Sequence, residues 1–481
     1  AHAQQWTPVK DEVYLQEVGY QIRTDISVHA VAVCDDRVFI ALSDGLREIR
    51  HDQSVTPAPA PAQSPTPGLP GTGGRRLAAV ADAPETRIER LMGLEGTLYV
   101  FADDGLHSLT GATWTHVSEQ RFVDACMHHS NVVLAARDGL YRIDGAAVVA
   151  IPEAASPPAA LRAVASHAET LYCMADDALV AFDGKGYDTG MDVNDFGEMP
   201  SSTLRDLLPF GSRLLVATDN GLGVLRGTAA TAIQGEDGLP YEDTLRLARG
   251  FAGDYWIATS HGAIRAVDGE YHYFMAPRWL PDNAVNDVAC LPAGRHGGPA
   301  TAYIATNSGL GIIDYEPYTL LKKAAYYTRH LHEWGQKRMA FVHKLEWNPD
   351  KGGWVREVSD NDVGWSTHWW AAQAFKYAVT GDTTARQNAI DGFNAMKWSE
   401  EITPIKGFPA RSIWAVGETG NRTTGGSGGY PAEWNRTEDG KWDWKGDTSS
   451  DETDAQWYYA AIFYELLEDA GLRAQVREHL T

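Results

Sequence analysis

The sequence predicts an all-β seven-bladed propeller followed by an all-α domain, a partial α/α toroid. Three observations carry this. One short β-pattern recurs seven times between residue 28 and about residue 318, the apolar period then becomes helical, and 12 of the 16 tryptophans lie beyond Tyr318. A chain of 481 residues also exceeds the ~250–300 residues at which a single core stops growing, so two domains are expected.

Each copy of the repeat reads as an alternating apolar strand, a short polar turn, a second apolar strand, and a Gly-containing turn into a third. VHAVAVCDDRVFIALSDGLREI and VNDVACLPAGRHGGPATAYIATNSGLGII are the first and last copies. The turn residues Gly45, Gly105, Gly139, Gly221, Gly262 and Gly309, with Ala178 standing in once, lie 34 to 60 residues apart. Asp/Asn-Gly between apolar strands supplies the positive φ that a tight hairpin needs. A unit of about 40 residues cannot bury its apolar faces alone, whereas four-stranded blades packed radially bury them against their neighbours. The longest spacing holds a Pro-rich insertion, residues 54–74, read as an extended surface excursion. A second insertion, residues 293–299, interrupts the last copy. The segment Val13–Ile26 is expected to close the ring with the last blade. These features set a propeller over 1–318 and a helical, toroid-like domain over 319–481.

The copies WIATSHGAIRAV, IATNSGLGII and VATDNGLGVL resemble the propeller repeats of periplasmic sensors of bacterial two-component regulators. The resemblance implies the fold, which sensors, scaffolds and enzymes share.

After Tyr318, Leu320, Leu321, Ala324, Tyr327, Leu331, Trp334, Met339 and Val342 fall at helical spacing. A turn is expected at residues 348–353. A second helix starts after Ser359-Asp360-Asn361-Asp362, which suits capping, and runs to Gly381. A third spans Thr384 to about Ser399, a long loop spans 403–448, and two helices end the chain. Five or six helices fall short of the 12 in a full toroid of six hairpins, so the domain is expected to be incomplete at its C-terminus.

Net charge is −23 and uneven: residues 320–481 carry 19 Lys/Arg against 23 Asp/Glu, leaving 22 against 41 before them. Such an acidic surface repels phosphate backbones, which excludes nucleic acid as a partner. No apolar run reaches the ~18–20 residues of a membrane span. Cys34, Cys126, Cys173 and Cys290 include no C-x-x-C pair, so neither a zinc site nor a disulfide framework is indicated. The opening Ala1-His2-Ala3-Gln4 has the look of an A-x-A signal cleavage site, so a periplasmic or secreted location is expected, although trimming gives the same start.

The run REVSDNDVGWSTHWWAAQAFKYAVTGD, then GFPARS, then WKGDTSSDETDAQWYYAAIFYELL, is similar to a bacterial carbohydrate-active family with a propeller ahead of an α/α toroid. Its members include lyases that remove L-rhamnose α-1,4-linked to D-glucuronate from arabinogalactan. The resemblance covers residues 318–481 and implies a catalytic toroid acting by β-elimination on an acidic plant or algal polysaccharide. This chain departs from the family at Ala455-Gln456, where relatives carry Gly-His, which puts the identity of the base in doubt.

A uronate lyase must neutralise the sugar carboxylate, remove the C5 proton and protonate the leaving oxygen. Arg411 and Arg436 are candidate carboxylate clamps, with Asn361 as an amide partner. Tyr458 or Tyr459 is the candidate base, with His368 as alternative. Trp365 and Trp434 offer flat faces for stacking on sugar rings. Asp360, Asp362, Asp451 and Glu452 could orient the sugar or bind a cation such as calcium; no other cofactor and no metal site are indicated. Capping suits Asp360 and Asp451 equally well, packing suits Tyr458, and a structural ion pair suits Arg411. Two other functions stay open: a non-catalytic glycan-binding or sensor propeller, and a glycoside hydrolase using a carboxylate pair such as Asp362 and Asp451. Within the ring, His128, His129, His261 and His296 sit in loops from which an axial pocket could be lined.

Overall fold

The computed structural model describes residues 10–51, 72–151, 157, 159–175, 178–188, 198–227, 229–294, 298–348, 350, 353–426 and 429–481. Most of the Pro-rich insertion lies outside these residues, as do His296 and the first nine residues. The chain divides into two compact units. One is Leu15–Pro317; the other is Tyr318–Thr481 together with the described residues up to Tyr14.

The first unit holds seven four-stranded sheets among the described residues. Their first strands are Val28–Cys34, Ile88–Leu94, Asp124–His128, Ala163–His167, Leu204–Phe210, Thr244–Arg249 and Val285–Leu291. The hairpins between successive strands of each sheet follow the meander expected from the repeat, so Gly45 sits opposite Leu42 and Gly309 opposite Thr306. Six sheets take all four strands from consecutive sequence. The seventh takes its outer strand, Tyr14–Arg23, from the start of the unit, which is the closing segment the sequence suggested.

Alternation of apolar residues along each strand gives every sheet two buried faces, and each face meets a neighbour. Phe39 and Ala41 pack on Leu98 and Val100; Phe101 on Leu134; Val133 on Cys173; Met174 on Val216; Leu215 on Ile257; Trp256 on Ile304; and Tyr303 on Ile40. Seven apolar clusters thus fill seven interfaces, the last joining the seventh sheet to the first. The first strands also touch in succession, and the succession returns to its start. The unit is a closed, propeller-like ring. All four cysteines are free.

Among its described residues the second unit contains five helices: α1 (Leu320–Glu333), α2 (Asp362–Thr380), α3 (Thr383–Glu401), α4 (Ser450–Leu466) and α5 (Ala470–His479). α2 packs on both α3 and α4, around Trp370, Phe393, Tyr459 and Phe463. α2 stops at Gly381, whose φ of 72° ends the helix, and Asp382 caps α3 through the Thr384 and Ala385 amides.

The unit is not all-α. α1 stops at Glu333 instead of continuing to Val342, because Gly335 takes a φ of 67° just beyond it. Short strands follow, with Lys344–Asn348 paired to Gly353–Val358. The region expected as a loop, 403–448, contains a three-stranded sheet of Ser412–Ala415, Trp434–Arg436 and Trp442–Lys445. Among the described residues no helix is long and apolar enough to cross a membrane.

Candidate functional site

The N-terminal turns of α2 and α4 meet, and most of the candidate residues of the second unit gather there. Asn361 donates its amide to Asp451 Oδ2 at 3.0 Å, and the Gly364 N–H donates to Glu452 Oε2 at 3.0 Å. The approach is close: a Cβ on Gly364 would lie 2.7 Å from that Glu452 oxygen. Acidic groups at two helix N-termini sit where the helix dipoles favour negative charge.

Two buried cations hold the cluster together. Arg411, only 3% exposed, donates Nε to the Asp360 carbonyl at 3.0 Å and to Asn361 Oδ1 at 2.8 Å, and Nη1 to the Asp447 carbonyl at 2.7 Å. Its Nη2 lies 3.2 Å from Asp360 Oδ2. Lys445, fully buried, donates to Asp360 Oδ1 at 2.9 Å and lies 3.6 Å from Asp447 Oδ2. Arg411 is therefore a brace between the GFPARS and SDND segments. A ligand carboxylate would have to displace Asp360 to reach it, which corrects its expected role as an open clamp.

Beneath this network, His343 Nδ1 lies 3.1 Å from Asp362 Oδ1, both side chains being about 1% exposed. The contact is short but poorly aligned for a hydrogen bond. Asp362 also accepts from the Ser359 N–H at 3.0 Å, so it shapes the turn before α2. Burial pushes the Glu452 carboxyl up to about 8, against the stabilising Gly364 N–H, Gln456 and Arg411, while Asp362 raises it further. Asp451 is held below its ordinary value, first by the hydrogen bond from Ser449.

The solvent face of the same helix pair is aromatic. The His368 and Tyr458 rings lie 5.8 Å apart, both exposed, so the structure brings two of the candidate bases together. Trp365 precedes His368 by one turn of α2 and is 41% exposed; Trp457, beside Tyr458, is 63% exposed. Tyr459 faces the other way. It is fully buried, and its hydroxyl is given to the Ala389 carbonyl, which removes it as a base open to substrate.

No family model matches the chain, and no curated protein matches it. Among solved structures, the extracellular domain of the hybrid two-component system BT4673 from B. thetaiotaomicron aligns with 13% identity and a TM-score of 0.44, covering 63% of this chain and 40% of that one. The corresponding domain of BT3049 from the same organism gives 12% and 0.44, covering 63% and 42%. PorZ, a surface component of the type-IX secretion system of Porphyromonas gingivalis, gives 14% and 0.40, covering 62% and 39%. The chain spans about two fifths of the length of these proteins. Overlaps this weak decide neither activity nor ligand.

The remaining candidates lie apart from the helix pair. Arg436 is paired with Asp443 on the sheet that also holds Trp434. Trp434 gives its indole N–H to the Thr423 carbonyl at 3.1 Å and carries the Arg422 guanidinium 4.7 Å above its ring. Burial would raise the Asp443 carboxyl, but Arg436 and Arg422 together hold it down. Arg436 is thus also occupied by a carboxylate of the chain itself.

Among the described residues, the candidate ring histidines do not share a pocket. His128 and His129 lie in the hairpin between the first and second strands of the third sheet, and His261 in the hairpin between the second and third strands of the sixth. Successive hairpins of a meander turn at opposite ends. His128 is engaged with Ser166 Oγ at 2.8 Å, and His261 lies against Tyr241.

Among the described residues, no three His, Cys, Asp or Glu side chains are grouped to hold a metal ion. The four acids proposed for a cation instead divide between Lys445 and Arg411 (Asp360), His343 (Asp362), Asn361 (Asp451) and the buried α2 amide (Glu452). Lys445, Asp447 and His343 were missed from sequence. The signal for the first two was present: WDWKGD places a lysine beside tryptophans and two residues from an acid, Asp447, that comes within 3.6 Å of it in the fold.

Proposed function

We propose that the protein is a carbohydrate-binding protein that acts outside the cytoplasm, built as a seven-bladed β-propeller followed by an open segment of an α/α toroid. Its ligand is an acidic, uronate-containing glycan, held without bond cleavage on the exposed face of α2 and α4. The observation that carries this reading is the row of exposed Trp365, His368, Tyr458 and Trp457 beside the Asn361–Asp451 rim. Aromatic faces that end in polar edges suit sugar rings, while an amide N–H donates to their hydroxyls and a carboxylate accepts from them. Binding of arabinogalactan and polygalacturonate, followed by affinity electrophoresis, tests it. Trp365→Ala and Tyr458→Ala should each weaken retention about tenfold, the equivalent of ~1.4 kcal/mol. Retention unchanged in both variants would refute the site.

One observation favours a second reading, a polysaccharide lyase. His368 and Tyr458 are adjacent and open to solvent, and either could take the C5 proton of a uronate; the sequence resemblance points the same way. Against it, Arg411 and Arg436 are both engaged by carboxylates of the chain, so neither arginine is open to neutralise the sugar carboxylate. Incubation with rhamnose-capped arabinogalactan separates the readings. Ultraviolet absorbance from an unsaturated uronate, lost in Tyr458→Phe, would establish the lyase and displace the binding role.

A further inference from the structure

The inner strands of the ring carry a repeated irregularity. In five sheets the register between first and second strands slips at the same place: between Val28 and Ala30, Ile88 and Arg90, Leu204 and Asp206, Thr244 and Arg246, and Val285 and Asp287. A bulge adds one unpaired residue and re-aims the side chain that follows. Asp124 and Ala163 occupy the matching position in the other two sheets, opposite Ala135 and Met174. Around the ring this position reads Ala, Arg, Asp, Ala, Asp, Arg, Asp.

The three aspartates are fixed from behind. Asp124, Asp206 and Asp287 each accept, through Oδ2, the backbone N–H of the next sheet's inner strand: Val164 at 2.9 Å, Leu247 at 2.8 Å and Val31 at 3.0 Å. Arg90 reaches Asp124 Oδ1 at 3.0 Å and Asp206 Oδ1 at 3.8 Å. Arg246 is less well served. Its nearest carboxylate among the described residues is Asp206 Oδ1 at 3.7 Å, beyond hydrogen-bond range, and its side chain stays 36% accessible. The space beside it is a cavity of about 370 Å³ whose lining includes Arg90, Asp206, Arg246, Asp287 and the small Ala30, together with Glu89 and Arg249. That volume is at the lower end of the ~300–1,000 Å³ of small-molecule sites.

We propose that this axial cavity binds a free hydroxy acid of monosaccharide size, a sugar acid of the uronate class. Guanidinium groups offer only donors and carboxylates only acceptors. A ligand that satisfies both must bring a carboxylate for Arg246 and Arg90 and hydroxyls for Asp206 Oδ1. A neutral sugar brings Arg246 no anion closer than Asp206 at 3.7 Å, and a bare anion meets the aspartates with no donor to offer them. The site lies wholly within the ring and shares no residue with the α2/α4 face.

Isothermal titration of the full chain with D-glucuronate, with glucose and acetate as controls, tests the proposal. One saturable site for glucuronate, absent for both controls, is expected. Arg246→Gln should weaken it about tenfold or more. Arg246→Lys leaves the charge count of the layer unchanged, so the ring folds, but it lacks the bidentate fork and should also bind more weakly. Trp365→Ala should leave this site unchanged, which separates its failure from failure of the glycan face. No saturable heat with the wild type, equal binding of glucose, or full affinity in Arg246→Lys would overturn the proposal. Displacement of glucuronate by polygalacturonate would overturn the assignment to a free acid.

Discussion

Burial pushes the Glu452 carboxyl up to about 8, because α2 and α4 approach too closely for water to reach it. Its one backbone donor, Gly364, and Gln456 cannot offset the burial that raises it to about 8 from an ordinary 4.5. The folded state therefore binds a proton that the unfolded chain has released. The stability this group contributes is complete below about pH 4.5 and declines as pH rises towards 8, by at most about 1.4 kcal/mol per pH unit. Arg411 and Asp362 face the same carboxyl and temper the slope in opposite directions. Glu452→Gln should remove this decline, so the variant gains on the wild type as pH increases. Urea unfolding at several pH values measures the difference; a gap independent of pH would mean that Glu452 is ionised in the fold. The buried acid itself was legible only as a helix-start residue, since a sequence does not say which of Asp451 and Glu452 turns inward.

At the scale of elements, the helical unit depends on close approach as much as on apolar pattern. Gly392 of α3 lies against the Trp370 indole of α2, and a Cβ there would fall 2.3 Å from Trp370 Cγ. The indole is also fixed by its N–H, donated to the Ala340 carbonyl at 2.7 Å. Neither ring nor helix can yield cheaply. Gly392→Ala should destabilise the second unit by about 1–3 kcal/mol, although alanine is the better helix former. Thermal unfolding followed by tryptophan fluorescence checks the sign; a stabilised variant would show that α2 and α3 separate easily. The helices α2 and α3 could be read from sequence within about three residues, because Asp362, Gly381 and Asp382 mark their ends. The strands before and after them could not. Lys344–Asn348 and Trp442–Lys445 are short and charged; the first pairs with its neighbour Gly353–Val358, and the second gains its pairing from the remote Ser412–Ala415. In the ring, by contrast, each hairpin's turn residues and alternation agree locally, so the repeat was legible in almost every copy.

The ring as a whole is closed by parts from both ends of its sequence. Tyr14–Arg23 adds the outer strand of the seventh sheet, and the first sheet is tied to the seventh by Arg75, whose Nη2 lies 2.7 Å from both Asp314 oxygens. Thr301 Oγ1 also donates to Asp314 at 2.7 Å, and the Tyr20 ring of the closing strand lies 5.2 Å from the guanidinium. The closing strand could be anticipated because one segment was left without a partner; the ion pair could not, since Arg75 and Asp314 are 239 residues apart. Both side chains are under a tenth exposed, so removing one partner leaves a buried charge instead of a solvated one. Arg75→Met should therefore destabilise the ring by about 3–5 kcal/mol. Replacing both, as Arg75→Met with Asp314→Leu, should recover most of that loss, because the pair's own desolvation is removed as well. Urea unfolding of the two variants decides it. If the double variant is as unstable as the single one, the bond, and not the avoidance of an orphaned charge, holds the first and seventh sheets together.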